Sequence, residues 1–173
     1  IESIAICLMH AYGFSEHEEQ VLKMAKNMGF KQVTASHELL PTIKIVERGD
    51  TTVVDAYLTP HIREYIELFK SQFVDNLADV DLSFMQSHGG LCESDRFSGS
   101  NAILSGPAGG VVGVSTLYQD TPLIGFDMGG TSSDVCRYDG GLELSYENNI
   151  AGVTLRTPQL DILTVAAGGG SRL

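Results

Sequence analysis

Sixteen of the nineteen glycines in this 173-residue chain fall after residue 88. Glycine lacks a Cβ, so it marks sharp turns and places where two backbones touch. The second half must therefore be built from tight turns and close backbone approaches. The first half carries few of them and is free to form ordinary helices and strands.

That first half reads as α/β. Residues 4–9 form a short apolar run, the pattern of a buried strand. Ser15 and Glu18 have the spacing of a capping box, in which each side chain satisfies a free N–H of the other residue. Val21, Leu22, Ala25 and Met28 then share one helical face, and Gly29 is placed to end the helix. Residues 32–36 suit a second strand, so a strand–helix–strand crossover with parallel strands is expected. Arg48-Gly49-Asp50 reads as a turn and residues 51–58 as a helix. Thr59-Pro60 reads as the cap and first turn of another helix, with Ile62, Tyr65, Ile66 and Phe69 as its apolar stripe.

Beyond residue 81 the signals shorten. Residues 82–86 suggest a strand running into Ser87-His88-Gly89-Gly90. Pro107 can open a helix reaching about residue 117, and its small residues allow very close packing. Residues 123–128, 132–138 and 142–146 read as three strands joined by Gly129-Gly130 and by Asp139-Gly140-Gly141, an antiparallel meander. We place a boundary near Asp120, dividing the chain into residues 1–119 and 120–173.

Charge narrows the function. Twenty-two acidic against eleven basic residues give a net charge of −11, which argues against nucleic acid and against anionic lipid as partners. It leaves nucleotide binding open, because a phosphate site needs only local N–H groups and a metal ion. Cys7, Cys92 and Cys136 are odd in number and widely spaced, as expected of reduced thiols in a cytoplasmic protein. No apolar run reaches the roughly 18 residues of a membrane span. The chain starts at Ile1 inside a strand-like run and stops just after a glycine run. We therefore expect an internal piece of a larger protein, with the apolar faces of residues 123–126 and 162–166 left uncovered.

The sharpest chemical feature is Asp127-Met128-Gly129-Gly130-Thr131-Ser132-Ser133-Asp134. An apolar strand delivers a carboxylate to its end, two glycines turn the chain, and a second carboxylate returns on the next strand. Backbone N–H groups of such a turn can face a phosphate, and two flanking acids suit a hydrated Mg²⁺. The same spacing also fits an ordinary Gly-Gly hairpin with solvated acids. His10, His17, His37 and His61 show no metal-ligand spacing. Cys136 reads as a buried strand thiol.

The 127–134 stretch resembles the phosphate loops of the sugar-kinase, actin and heat-shock-chaperone superfamily. Longer runs are similar to the hydantoinase/oxoprolinase family. These are Ser98-Gly99-Ser100, Leu104-Ser105-Gly106-Pro107-Ala108-Gly109-Gly110-Val111-Val112-Gly113, Gly125-Phe126-Asp127-Met128-Gly129-Gly130-Thr131 and Val165-Ala166-Ala167-Gly168-Gly169-Gly170-Ser171-Arg172. Leu8-Met9-His10, His17-Glu18, Ala56-Tyr57-Leu58-Thr59-Pro60 and Pro158-Gln159-Leu160-Asp161 match as well. His88 and Ser133 depart from the family's usual residues.

The resemblance implies a ribonuclease-H-like (actin-like ATPase) α/β fold with a mixed sheet and helices. Residues 1–119 would be the C-terminal portion of a first such domain, and residues 120–173 the start of the second. It implies ATP-dependent hydrolysis of a cyclic amide, 5-oxo-L-proline to L-glutamate, with ATP cleaved to ADP and phosphate. Asp127 and Asp134 would be catalytic and hold Mg²⁺, with K⁺ as a further candidate ion. Gly129, Gly130, Thr131, Ser132, Gly168, Gly169 and Gly170 would bind the nucleotide. The implied partners are the small cyclic amide, the remainder of the same polypeptide or a hydantoinase B-like part, and further copies of the chain. A hydantoinase or ketone-carboxylase subunit, or a non-enzymatic nucleotide-driven module, stands as the alternative.

Overall fold

The computed structural model describes residues 1–117, 121–150 and 152–172. The expected crossover is present. Strand β1 (Ser3–Ile6), helix α1 (Glu16–Asn27) and strand β2 (Gln32–Ala35) form a βαβ unit with parallel strands, Ser3 opposite Gln32 and Ile6 opposite Ala35. Ile6, Leu22, Ala25 and Ala35 make its core, with Ile4, Phe30 and Val33 packed against them. Gly29 follows α1 with φ +86°, a value that suits glycine.

Two local expectations in this unit are corrected. Ser15 and Glu18 do not form a capping box: the Ser15 hydroxyl donates to Glu19 instead, at 2.6 Å. Glu18 turns inward and is fully buried. It accepts from the Leu8 N–H at 2.7 Å, the Ser36 hydroxyl at 2.7 Å and the His37 N–H at 3.0 Å, and its Oε2 lies 2.7 Å from His37 Nδ1. The inward face of α1 is therefore Glu18, Leu22 and Ala25, while Val21 and Met28 are exposed. A carboxylate with four partners from distant chain outweighs one local N–H.

A short helix α2 (Ser36–Leu39) leads to α3 (Ile45–Lys70), one continuous helix of 26 residues. The turn expected at Arg48-Gly49-Asp50 and the helix start expected at Thr59-Pro60 both lie inside it. Tertiary partners override the local signals here. Arg48 is fully buried, with its guanidinium donating to the carbonyls of Thr42, Leu8 and Met9. The Thr59 hydroxyl, free to cap if a helix began there, accepts from the Gly99 N–H at 2.9 Å.

Strands β3 (Ser83–Met85) and β4 (Leu91–Glu93) pair as a hairpin. The short helix α4 (Gly99–Ala102) sits on α3, and α5 (Ser105–Leu117) follows as expected from Pro107. Ala108 and Val111 of α5 build a second core with Cys136 and Leu160, flanked by Met85, Val112 and Ile162.

Strand β5 (Leu123–Met128), β6 (Ser133–Tyr138) and β11 (Ile162–Val165) form an antiparallel sheet in the order β11-β6-β5. The expected meander is corrected: residues 142–146 supply only β7 (Leu144–Ser145), which pairs with β10 (Gln159–Leu160), and β11 takes the free edge of β6. Between them β8 (Asn148–Ile150) and β9 (Val153–Leu155) form a hairpin lying on α3, and the Arg156 N–H donates to Thr51. The boundary expected near Asp120 falls outside the described residues. The uncovered apolar faces expected at 123–126 and 162–166 are seen, with Ile124 75%, Phe126 62% and Leu163 67% exposed. Among the described residues no helix is long and apolar enough to cross a membrane.

Candidate nucleotide site

The β5–β6 ladder sets the geometry. Its register pairs Asp127 with Asp134 and Met128 with Ser133, which leaves Gly129, Gly130, Thr131 and Ser132 as the tip. The Gly129 N–H closes the tip by donating to the Ser132 carbonyl at 2.9 Å. Among the described residues no protein group accepts from the N–H of Gly130, Thr131 or Ser132. Open space surrounds the Cα of Gly130 where a Cβ would stand.

Alternation along the strands puts Gly125, Asp127, Asp134 and Cys136 on the face turned to α5. Two carboxylates thus stand directly opposite each other, an arrangement that is unfavourable without a cation or donor between them. A cavity of about 20 Å³ lies beside them, lined among others by Pro107, Gly110 and Val114 of α5. The Thr164 hydroxyl of β11 donates to Asp134 Oδ1 at 2.6 Å and fixes one of the pair. Gly110 gives Asp127 its room: a Cβ there would stand 3.2 Å from Asp127 Oδ2. Burial pushes the Cys136 thiol above its usual pKa, against a backbone hydrogen bond from Gly125 that lowers it, which suits a packing residue.

The glycine run 168–170 lies against the tip. The Gly169 N–H donates to the Gly129 carbonyl at 3.0 Å, and the Gly170 N–H to the Gly130 carbonyl at 2.8 Å. The Gly168 N–H donates to the Ser171 hydroxyl at 3.0 Å. Ser133 adds a bond from its hydroxyl to the Ala167 carbonyl at 2.7 Å. The structure therefore brings every residue singled out in the sequence, Asp127, Asp134, Gly129, Gly130, Thr131, Ser132, Gly168, Gly169 and Gly170, to one end of the β11-β6-β5 sheet. Sequence reasoning missed Thr164 and Gly110. Only the strand register and the helix contact reveal them.

Five matches identify the lineage. Residues 48–173 match the sequence profile of the hydantoinase/oxoprolinase family. The chain is 56% identical over 177 residues to "5-oxoprolinase 1" of Arabidopsis thaliana, covering all of this chain and 14% of that protein. It is 52% identical over 189 residues to "5-oxoprolinase" of Dictyostelium discoideum, covering all of this chain and 15% of that protein. Among solved structures, the ATP-dependent caprolactamase from Pseudomonas jessenii superposes with a TM-score of 0.83 at 30% identity, covering 98% of this chain and 26% of that one. A nucleotide-free acetone carboxylase superposes with a TM-score of 0.82 at 28% identity, covering 96% of this chain and 25% of that one. The chain spans about one seventh of the length of the two 5-oxoprolinases it matches. Its fold is the actin-like ATPase fold shared with those two structures, and by profile, sequence and fold together the chain belongs to the hydantoinase/oxoprolinase family.

Proposed function

We propose that this segment forms one wall of the nucleotide site in a longer cytoplasmic polypeptide that couples ATP cleavage to opening of a cyclic amide. The substrate on this reading is 5-oxo-L-proline, and the products are L-glutamate, ADP and phosphate. The observation that carries the phosphate half is the tip itself: three successive N–H groups without a protein acceptor among the described residues, beside two opposed carboxylates. Successive backbone N–H groups make a concave positive surface that suits phosphate oxygens.

The residues present fit Mg²⁺. That ion binds through one or two carboxylates and keeps several waters, and Asp127 and Asp134 supply two. The neighbouring cavity of about 20 Å³ has room for one water, which needs roughly 10–15 Å³. Mg·ATP, when bound, supplies the phosphoryl group that makes the amide carbonyl attackable. The tip N–H groups orient the phosphate oxygens, and Thr131 and Ser132 add hydroxyl donors. Asp127 and Asp134 hold the ion, and Thr164 keeps Asp134 from turning away. K⁺ is a further candidate ion. The amide half of the reading rests on the relatives of 52% and 56% identity that carry the name 5-oxoprolinase.

Since the chain matches 14–15% of those relatives, the rest of such a polypeptide, or a hydantoinase B-like part, would complete the cleft and hold the ring. Assembly into a homo-oligomer is part of this proposal. A second reading, ATP-dependent carboxylation of a ketone, draws on the acetone carboxylase match and ranks lower because identity there is 28%. The deciding measurement is ATP hydrolysis by the full-length polypeptide with and without 5-oxo-L-proline. Glutamate formed in step with ADP is expected. ATP turnover indifferent to 5-oxoproline, with no glutamate, overturns the reading.

A further inference from the structure

We propose that the glycine run 168–170 works as a backbone clasp that holds the hairpin tip in its phosphate-facing position, with Gly168 as a positioning residue. The inference rests on the nucleotide reading of the tip. In that reading the run could bind the nucleotide directly or support the loop that does. The hydrogen bonds favour support. All three N–H groups of the run are spent within the protein, two of them on the carbonyls of Gly129 and Gly130 and one on Ser171. Those two tip carbonyls belong to the peptide units that carry the Gly130 and Thr131 N–H groups, and among the described residues neither N–H has a protein acceptor. A peptide unit whose carbonyl is held on one side must present its N–H to the other.

The steric pattern along the run is uneven, and this makes the clasp testable. A Cβ at Gly168 would stand 2.6 Å from the Gly129 carbonyl oxygen, 2.8 Å from Gly130 C and 2.8 Å from Thr131 N. All three are backbone atoms, so no side chain can swing away and the tip itself must move. One of them, Thr131 N, is a donor assigned to phosphate. A Cβ at Gly169 would come no closer than 3.8 Å to the Gly129 carbonyl, an ordinary contact. Neither glycine has a positive φ. Two adjacent, chemically identical substitutions should therefore differ: Gly168→Ala displaces the tip, and Gly169→Ala leaves it in place. The Ser133 hydroxyl bonded to the Ala167 carbonyl anchors the clasp from the strand side.

The test uses the full-length polypeptide, with KM for ATP, KM for the cyclic amide, kcat and direct binding of an ATP analogue measured together. Gly168→Ala is expected to raise KM for ATP and the analogue Kd at least tenfold with KM for the amide unchanged. Gly169→Ala, where a Cβ meets nothing closer than 3.8 Å, should raise both by a clearly smaller factor than Gly168→Ala, and equal effects of the two variants would overturn the clasp. Should Gly168→Ala fail to fold, Ser133→Ala carries the same question. It should raise KM for ATP severalfold, and Ser133→Thr, which keeps the hydroxyl, should restore it. Equal ATP affinity in the parent, Gly168→Ala and Ser133→Ala overturns the clasp and leaves the nucleotide reading standing. A parent that binds no ATP analogue overturns the nucleotide reading, and the clasp falls with it.

Discussion

Asp127 and Asp134 stand directly opposite each other across the β5–β6 ladder, both turned toward α5. Like charges facing across a ladder cost stability, on the order of 0.5 kcal/mol per pair. A divalent ion held between the two carboxylates would reverse its sign. Asp127→Asn is therefore expected to melt slightly higher than the parent in the presence of a chelator, by about 0.5 kcal/mol in stability. The same variant should lose at least about a hundredfold in ATP-dependent turnover, the scale of removing one group that stabilises transition-state charge. Thermal melts with and without Mg²⁺, beside steady-state ATPase rates, check both. An Asn variant with the parent's turnover would remove the pair from the mechanism.

Gly110 and Gly113 lie on one helix yet should respond differently to the same change. Alanine in a helix interior is favoured over glycine by roughly 1 kcal/mol. Gly113 has nothing within 4 Å of its would-be Cβ, so Gly113→Ala should raise stability by up to about that amount and leave turnover alone. At Gly110 the methyl would press on Asp127 Oδ2 at 3.2 Å. Gly110→Ala should gain less stability and should weaken Mg²⁺-dependent turnover severalfold, read as a raised Mg²⁺ requirement. Identical behaviour of the two variants would show that α5 does not set the Asp127 carboxylate.

Signals confined to a few residues were legible in the sequence. The βαβ unit, the helix after Pro107 and the β5–β6 hairpin each follow from a short apolar period bounded by glycine or proline. The Asp127 to Asp134 constellation was legible for the same reason, since one hairpin carries all of it. What escaped was decided by partners far away in the chain. Glu18 leaves its capping role for Ser36 and His37, and Thr59 gives its hydroxyl to Gly99, forty residues on. Thr164 meets Asp134 only because β11, rather than residues 142–146, pairs with β6. A register between non-neighbouring strands has no local signature.

Glu18 makes stability depend on pH. Burial pushes its carboxyl pKa up, but hydrogen bonds from Ser36, His37 and Leu8 outweigh burial and hold it below the ordinary carboxylate value. The folded carboxyl then binds a proton less readily than the unfolded one, whose pKa is about 4.3. This contribution to stability is present in full above that value and is lost as pH falls through the folded pKa. Glu18→Gln should cost about 2 kcal/mol at pH 7, through weaker acceptance from buried donors. The gap between parent and variant should close progressively below about pH 4. Denaturant titrations from pH 3 to pH 7 test it, and a gap constant across that range would contradict the assignment.

Ser98, Gly99 and Ser100 belong to one of the stretches shared with the family, yet their contacts tie the fold together and lie away from the tip. Asp55 of α3, 3% exposed, accepts from the Ser100 N–H at 3.1 Å and hydroxyl at 2.9 Å, and from the Thr34 hydroxyl at 3.1 Å. It thereby joins β2, α3 and α4. Gly99 sits so close to α3 that a Cβ would stand 2.4 Å from Leu58 Cβ and 2.7 Å from Thr59 N. Gly99→Ala must part the two helices and should cost about 2 kcal/mol, the scale of overpacking. Asp55→Ala should cost about 3 kcal/mol, because three buried donors lose one acceptor. Both variants should keep KM for ATP at the parent's value once the folded fraction is accounted for, since the bonds and close approaches of Asp55 and Gly99 run to β2, α3 and α4. Melting curves paired with ATP kinetics on the folded fraction make the check. A rise in KM for ATP at unchanged stability would move this stretch from the scaffold into the site.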